Sequence, residues 1–153
     1  MRQCNECTAC CEGSLNTQVF EHQIYPGKPC HFLTAKGCGI YDKRPYEPCQ
    51  RYKCAWLLDD GTKFPEWMRP DRAKAIPSML KYIDANGEKQ PCIRVSEHKS
   101  KLDSAILNWY FKFALENNMP LAVQIEGWWS YYGPQEFIDA IQNTTAESFV
   151  KHD

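Results

Sequence analysis

Met79-Leu80-Lys81-Tyr82-Ile83, then Asp84-Ala85-Asn86-Gly87, then Cys92-Ile93-Arg94-Val95-Ser96 after a short polar run, reads as two strands joined by a turn. The flanks are short, apolar and rich in residues that suit a pleated surface, and Asn86-Gly87 is a strong hairpin-turn signal. Downstream, Ser100 with Asp103 three residues on resembles a capping box. Leu102, Ala105, Ile106, Trp109 and Phe113 then recur at helical spacing until Asn117-Asn118 and Pro120 stop the run. Leu121-Ala122-Val123-Gln124-Ile125 is a further strand, and Pro134 opens a short helix with Phe137, Ile138 and Ile141 inward. Strand 92–96, the helix and strand 121–125 make a crossover that sets those strands parallel. The hairpin partner 79–83 then lies antiparallel at an edge. The expected fold class is α+β, with a small mixed β-sheet and two helices.

Upstream the character changes. Residues 1–55 show weak periodicity, frequent Gly and Pro, and scattered apolar residues such as Leu15, Val19, Phe20, Ile24, Phe32, Leu33 and Ile40. That segment lacks a core of its own, whereas residues 56–153 hold all five tryptophans and regular apolar patterning. The chain therefore divides into an irregular, metal-stabilised Cys-rich module over 1–55 and a small α/β part over 56–153 of the same compact unit. Asp59-Asp60-Gly61 is the expected hinge. Ordering a chain costs about 1–2 kcal/mol per residue, and a structural metal site contributes on the order of 10–16 kcal/mol, so bound metal is a sufficient source of folding energy here.

The totals narrow the function. A length of 153 residues fits one domain, and a formal net charge of -1 marks neither a nucleic-acid binder nor an anionic-membrane binder. No apolar h-region follows Met1, and no apolar run approaches the roughly 20 residues that cross a bilayer, so a soluble, cytoplasmic protein is expected. Of nine cysteines, Cys4, Cys7, Cys10, Cys11, Cys30, Cys38, Cys49 and Cys54 fall in the first 54 residues. An odd number confined to one third of a cytosolic chain argues against a disulfide framework and for reduced metal ligands.

Cys4-x2-Cys7-x2-Cys10-Cys11 carries the most information. A C-x2-C knuckle folds two thiolates toward one ion, and three thiolates at successive three-residue spacing are closer to ferredoxin cluster loops than to zinc fingers. Neighbouring Cα atoms lie about 3.8 Å apart, which strains a disulfide between Cys10 and Cys11. In an extended segment their side chains point to opposite faces, so the pair more easily serves two neighbouring centres. Cys30, Cys38, Cys49 and Cys54 complete eight ligands, enough for two closed four-cysteine sites.

The sequence resembles the bacterial CxxCxxCC proteins, described as zinc- or iron-chelating or as iron–sulfur-cluster-containing. The resemblance rests on Cys4-Asn5-Glu6-Cys7-Thr8-Ala9-Cys10-Cys11, Cys30-His31-Phe32-Leu33, Gly37-Cys38-Gly39-Ile40-Tyr41, Arg44-Pro45, Cys49 and Cys54, with a weaker echo in Met68-Arg69-Pro70-Asp71. It implies a metal-binding module and no single reaction. Flagellin lysine methylases carry a similar module on a much longer chain, and methyl transfer is not carried over.

The remaining candidates are weighed against plainer roles. His31 is read as an exposed loop histidine rather than a ligand, and Lys43, Arg44, Arg51 and Lys53 as solvated charges that could offset a thiolate-rich centre. Cys92 is read as a buried small hydrophobe. Glu97, His98 and Glu126 follow the carboxyl ends of the parallel strands, where solvated strand ends are the default over an active site. Trp128-Trp129 with Tyr131-Tyr132 is read as core or interface packing before the last helix. The expected function is metal binding by an iron–sulfur cluster, [4Fe-4S] favoured, with a redox or electron-transfer role and a protein redox partner. Against it stand a structural Zn2+ interaction module and a metal storage or delivery protein.

Overall fold

A computed structural model describes residues 2–4, 7–142 and 150–151. Asn5 and Glu6 of the cysteine motif lie outside the described residues. The chain opens with a 3-10 turn at Ala9–Cys11 and two small hairpins, β1 (Thr17–Val19) with β2 (His22–Ile24) and β3 (Leu33–Thr34) with β4 (Gly37–Cys38). Turns at Tyr41–Lys43 and Tyr46–Gln50 lead to α1 (Ala55–Leu58). Strands this short cannot enclose much. Val19, Ile24 and Cys30 form a small cluster of their own, against which Cys11, Cys49, Phe32 and Leu33 pack. The segment thus has a nucleus after all, partly built from cysteines.

After α2 (Pro70–Ala73) come β5 (Ala75–Ile83), β6 (Lys89–Glu97), α3 (Ser104–Glu116), β7 (Leu121–Ile125), β8 (Trp128–Tyr132), α4 (Gln135–Gln142) and β9 (Val150–Lys151). The five-stranded sheet runs β8-β7-β6-β5-β9, with β6 and β7 parallel and the other pairs antiparallel. The fold is α+β. The hairpin stands where the Asn-Gly signal places it. Asp84 Oδ1 accepts from the N–H of Asn86 and Glu88, both at 2.9 Å, and Gly87 takes φ 80°, where side chains are strained.

Several expectations are corrected. β5 starts at Ala75 and includes Pro77, which sits where β9 makes no pair, so the missing N–H breaks no outer ladder bond. The strand is flanked by β9 at Leu80 and Lys81 rather than lying at the edge. Trp128–Tyr132 forms an edge strand of the sheet; Trp128 is 80% exposed, so it is not core. Asp103, not Ser100, caps α3, its carboxylate accepting from Ala105 N–H at 2.8 Å. The buried face of that helix is Tyr110, Phe113 and Ala114, one step round from the expected stripe.

The sheet has apolar residues on both faces. Ile93, Val95, Leu121 and Val123 pack with Tyr110, Phe113 and Ala114 of α3. Leu80, Tyr82, Cys92 and Ala122 pack with Phe137 and Ile141 of α4. Ala9, Cys54, Ala55 and Trp56 join the first cluster, so the amino-terminal segment shares the main core. Asp59-Asp60-Gly61 is braced rather than hinge-like: Asp59 Oδ2 accepts from Gly61 and Phe64 N–H at 2.9 Å, and Arg2 pairs with it at 3.4 Å.

Phe137 is fully buried, whereas Leu115 is 82% exposed. Phe137→Ala is expected to cost about 3–5 kcal/mol in chemical denaturation. Leu115→Ala should stay within about 0.5 kcal/mol of the wild type.

Candidate metal centre

The cysteine loop is a series of tight turns. Cys7 N–H donates to Cys4 O at 2.7 Å, Cys11 N–H to Thr8 O at 2.8 Å, and Cys30 N–H to Cys11 O at 2.7 Å. The last bond brings the end of the first hairpin against the loop. Gly13, at φ 98°, lets this loop cross the turn Tyr25–Lys28 that follows β2, because a Cβ there would meet Tyr25 O at 2.4 Å. β4 carries Cys38, the turn Tyr46–Gln50 carries Cys49, and Cys54 caps α1.

All nine cysteines are free thiols. Cys4, Cys7, Cys10, Cys11, Cys30, Cys38, Cys49 and Cys54 line one cavity of about 510 Å³. Cys92 is fully buried in the α4 core, where burial pushes its thiol up to about 12.

Burial and mutual repulsion act on these thiols. Cys10 is held well above the ordinary thiol range, first by burial and then by Cys54, Cys11, Cys7 and Cys4. Cys11 is pushed up to about 12 by burial and then by Cys30, Cys38 and Cys49, with Cys4 weakest. Cys54 also reaches about 12 through burial, with Cys7 and Cys4 adding to it, and Cys49 is raised by burial, Cys30 and Cys38. Packing divides six of them: Cys7, Cys10 and Cys54 lie at the main core, and Cys11, Cys30 and Cys49 in the small cluster, while Cys4 acts on Cys10 and Cys54 and Cys38 on Cys11 and Cys49. The two sets meet at the Cys10–Cys11 peptide. That pair lies in a 3-10 turn rather than an extended segment, yet the side chains still diverge, by about 120° at three residues per turn. Among the described residues no group of three or more His, Cys, Asp or Glu closes tightly enough to hold a single metal ion.

On balance burial also favours the neutral form of Cys4 and Cys7, and local charges and hydrogen bonds oppose it only in part. Burial raises Cys4, while Arg44 and Lys53 work the other way. Burial raises Cys7, against hydrogen bonds from the backbone of Ala9 and Asp71. Lys53 is exposed, as expected of a solvated charge, whereas Arg44 is half-buried and stacks on the Tyr41 ring at 3.8 Å. Arg51 pairs with Glu47. Asp71 belongs to the stretch 68–71 and is held by Arg69 at 2.6 and 2.7 Å. His31 stacks on His22 at 3.9 Å and is exposed.

The strand-end candidates are otherwise engaged. Glu97 accepts from the N–H groups of Leu102, Glu126 and Gly127, pinning two loops together. His98 is 1% exposed, so it is no solvated strand end. It bonds Ser14 Oγ at 2.6 Å and pairs with Glu12 at 3.2 Å, with Lys99 on the same carboxylate at 2.7 Å. Nothing in the local pattern announced that link, since Ser14 and His98 are 84 residues apart. The far wall of the cavity, formed by Arg94, Ser96, Trp129 and Tyr131 with Tyr52, was also missed. Compared with known proteins, the chain matches no family model, no curated protein and no solved structure.

Raised thiol pKa values mean that folding favours the neutral form. The metal-free protein should keep this stabilisation below the ordinary value of 9.0 and lose it as pH rises toward about 12. Urea midpoints of the reduced, metal-free protein should fall from about pH 9 upward, and less steeply in a Cys11→Ser/Cys54→Ser variant.

Proposed function

We propose that this chain is a metal-binding protein carrying two iron–sulfur centres, with a redox or electron-transfer role in a reducing, cytoplasmic setting. One observation carries the reading: eight free thiols, spread from Cys4 to Cys54, line a single cavity, with Cys7, Cys10 and Cys54 packed at the main core and Cys11, Cys30 and Cys49 in a separate small cluster. Cys4, Cys7, Cys10 and Cys54 would hold one centre, and Cys11, Cys30, Cys38 and Cys49 the other. The resemblance to CxxCxxCC proteins points the same way.

The sequence spacing of Cys4, Cys7 and Cys10, at successive three-residue steps, favours clusters over zinc. A zinc ion draws four sulfurs to about 2.3 Å from one point, whereas a cluster interposes iron and sulfide between its thiolates. Such a cluster supplies one-electron chemistry when bound.

The chain's own residues prepare that chemistry. Backbone hydrogen bonds from Ala9 and Asp71 reach the Cys7 thiol, and others from Leu57 and Trp56 reach Cys54. These groups stabilise negative sulfur without adding a proton. Arg44 lies within electrostatic reach of Cys4 and Cys49, and so of both groups. Thiols raised by burial must lose their protons on binding, so metal uptake should strengthen with pH through the neutral range.

Protein purified without oxygen should be brown and contain iron and acid-labile sulfide. Cys54→Ser and Cys38→Ser should each remove about half of the iron, the double variant nearly all, and Cys92→Ser none. A colourless protein with stoichiometric zinc would replace the iron reading with the structural zinc one. Complete loss of iron in either single variant, with the fold intact by circular dichroism, would replace two centres with one.

A further inference from the structure

Ser14, His98 and Glu12 form a hydrogen-bonded chain beside the thiols. Ser14 Oγ lies 2.6 Å from His98 Nδ1, His98 Nε2 lies 3.2 Å from Glu12 Oε2, and Lys99 Nζ holds the other Glu12 oxygen at 2.7 Å. The protons follow from the partners. A carboxylate paired with the Lys99 ammonium only accepts, so His98 Nε2 carries a hydrogen and donates it to Glu12. Burial keeps the ring below the ordinary histidine range against the pull of Glu12, with Lys99 and Lys74 also facing it. His98 Nδ1 is therefore bare at neutral pH and accepts from the Ser14 hydroxyl.

A hydroxyl bonded to a bare imidazole nitrogen, whose other nitrogen is held by a carboxylate, is the arrangement that activates serine as a nucleophile. The fold holds it in place. The His98 N–H donates to Lys74 O at 3.0 Å, and the side chain is 1% exposed. Ser14 is half-buried and follows Gly13, which is at φ 98°. Ser14 lines the cavity of about 510 Å³. The N–H groups of Gly13 and Ser14 have no acceptor among the described residues, which leaves them available to an oxyanion formed at Ser14. Leu15, Val19 and Ile24, which follow Ser14 along the same cavity, are apolar and suit a short hydrocarbon acyl chain.

We propose that Ser14 is the nucleophile of an esterase site on this cavity, with His98 as its base and Glu12 holding the imidazole, and that its substrates are small uncharged carboxylic esters. Ser14 Oγ attacks the ester carbonyl carbon and gives its proton to His98 Nδ1. The bond from that carbon to the alcohol oxygen breaks, and the alcohol leaves with the proton. Water then attacks the acyl-serine and loses a proton to His98, which returns it to Ser14 Oγ as the carboxylic acid departs. The site goes beyond the metal reading and needs no metal for any step.

The test uses the full chain as purified, with two probes. A fluorophosphonate forms an oxygen–phosphorus bond to an activated serine with loss of fluoride, read by intact and peptide mass spectrometry. p-Nitrophenyl butyrate reports hydrolysis by absorbance. One phosphonyl group should be added per chain, on Ser14, and the ester should be hydrolysed. Ser14→Ala should abolish both, and His98→Gln should slow both by about a hundredfold or more. A mere tie between loop and sheet would change stability in these variants but leave wild-type Ser14 unlabelled. No label, a label on another serine, or wild-type hydrolysis in Ser14→Ala would overturn the proposal. If His98→Gln does not fold, the labelled position in the wild type and the Ser14→Ala result decide. Metal content is measured on the same samples, so an unlabelled protein that holds metal overturns the esterase and leaves the metal reading standing.

Discussion

Everything in the amino-terminal third depends on its seam with the sheet. Strands of two or three residues provide too few ladder bonds and too little buried surface to offset their own ordering entropy. The seam supplies what they lack. Ala9 and Trp56 enter the main core, Arg2 spans from Trp56 to Asp59, Tyr52 reaches Ser78, and Ser14 and Glu12 close on His98. Each contact joins residues far apart in the chain. The cysteine loop is therefore held in place by the α/β part rather than by its own hydrogen bonds alone.

The same seam creates an electrostatic tension. Folding brings eight thiols to one cavity, where burial and mutual repulsion keep Cys10, Cys11, Cys49 and Cys54 protonated. Four ionised sulfurs in one place are tolerable only beside positive charge. Arg44 and Lys53 offer some, and backbone N–H groups turned toward Cys7 and Cys54 offer more. The balance that remains is the physical basis of the metal-binding proposal. His98 shows the opposite solution to burial: its ring is kept below the ordinary histidine range by desolvation, with Glu12 pulling against that effect, and it acts as a neutral strut.

Local pattern was enough for the elements that obey a simple period. The hairpin, the parallel pairing of 92–96 with 121–125 and the inward Phe137 and Ile141 follow from alternation, Asn86-Gly87 and helical spacing. It failed where local preference and tertiary context disagree. Pro77 argues against a strand but sits where one side of β5 has no partner. Trp128 and Trp129 look like core residues but lie on an edge strand. Ser100 looks like the cap with Asp103 as its partner, and Asp103 itself takes the cap position instead.

The number and spacing of the cysteines, their crowding into 54 residues and the mixed α/β character of the remainder were determined by the sequence alone, because counts and periods are local properties. The packing of Cys7, Cys10 and Cys54 at the main core and of Cys11, Cys30 and Cys49 in a separate cluster, the burial of His98 against Ser14 and Glu12, and the row that sets Arg94 beside Trp129 and Tyr131 were decided only by the tertiary structure. Those relations join positions tens of residues apart through strand register and packing, and no local pattern carries either.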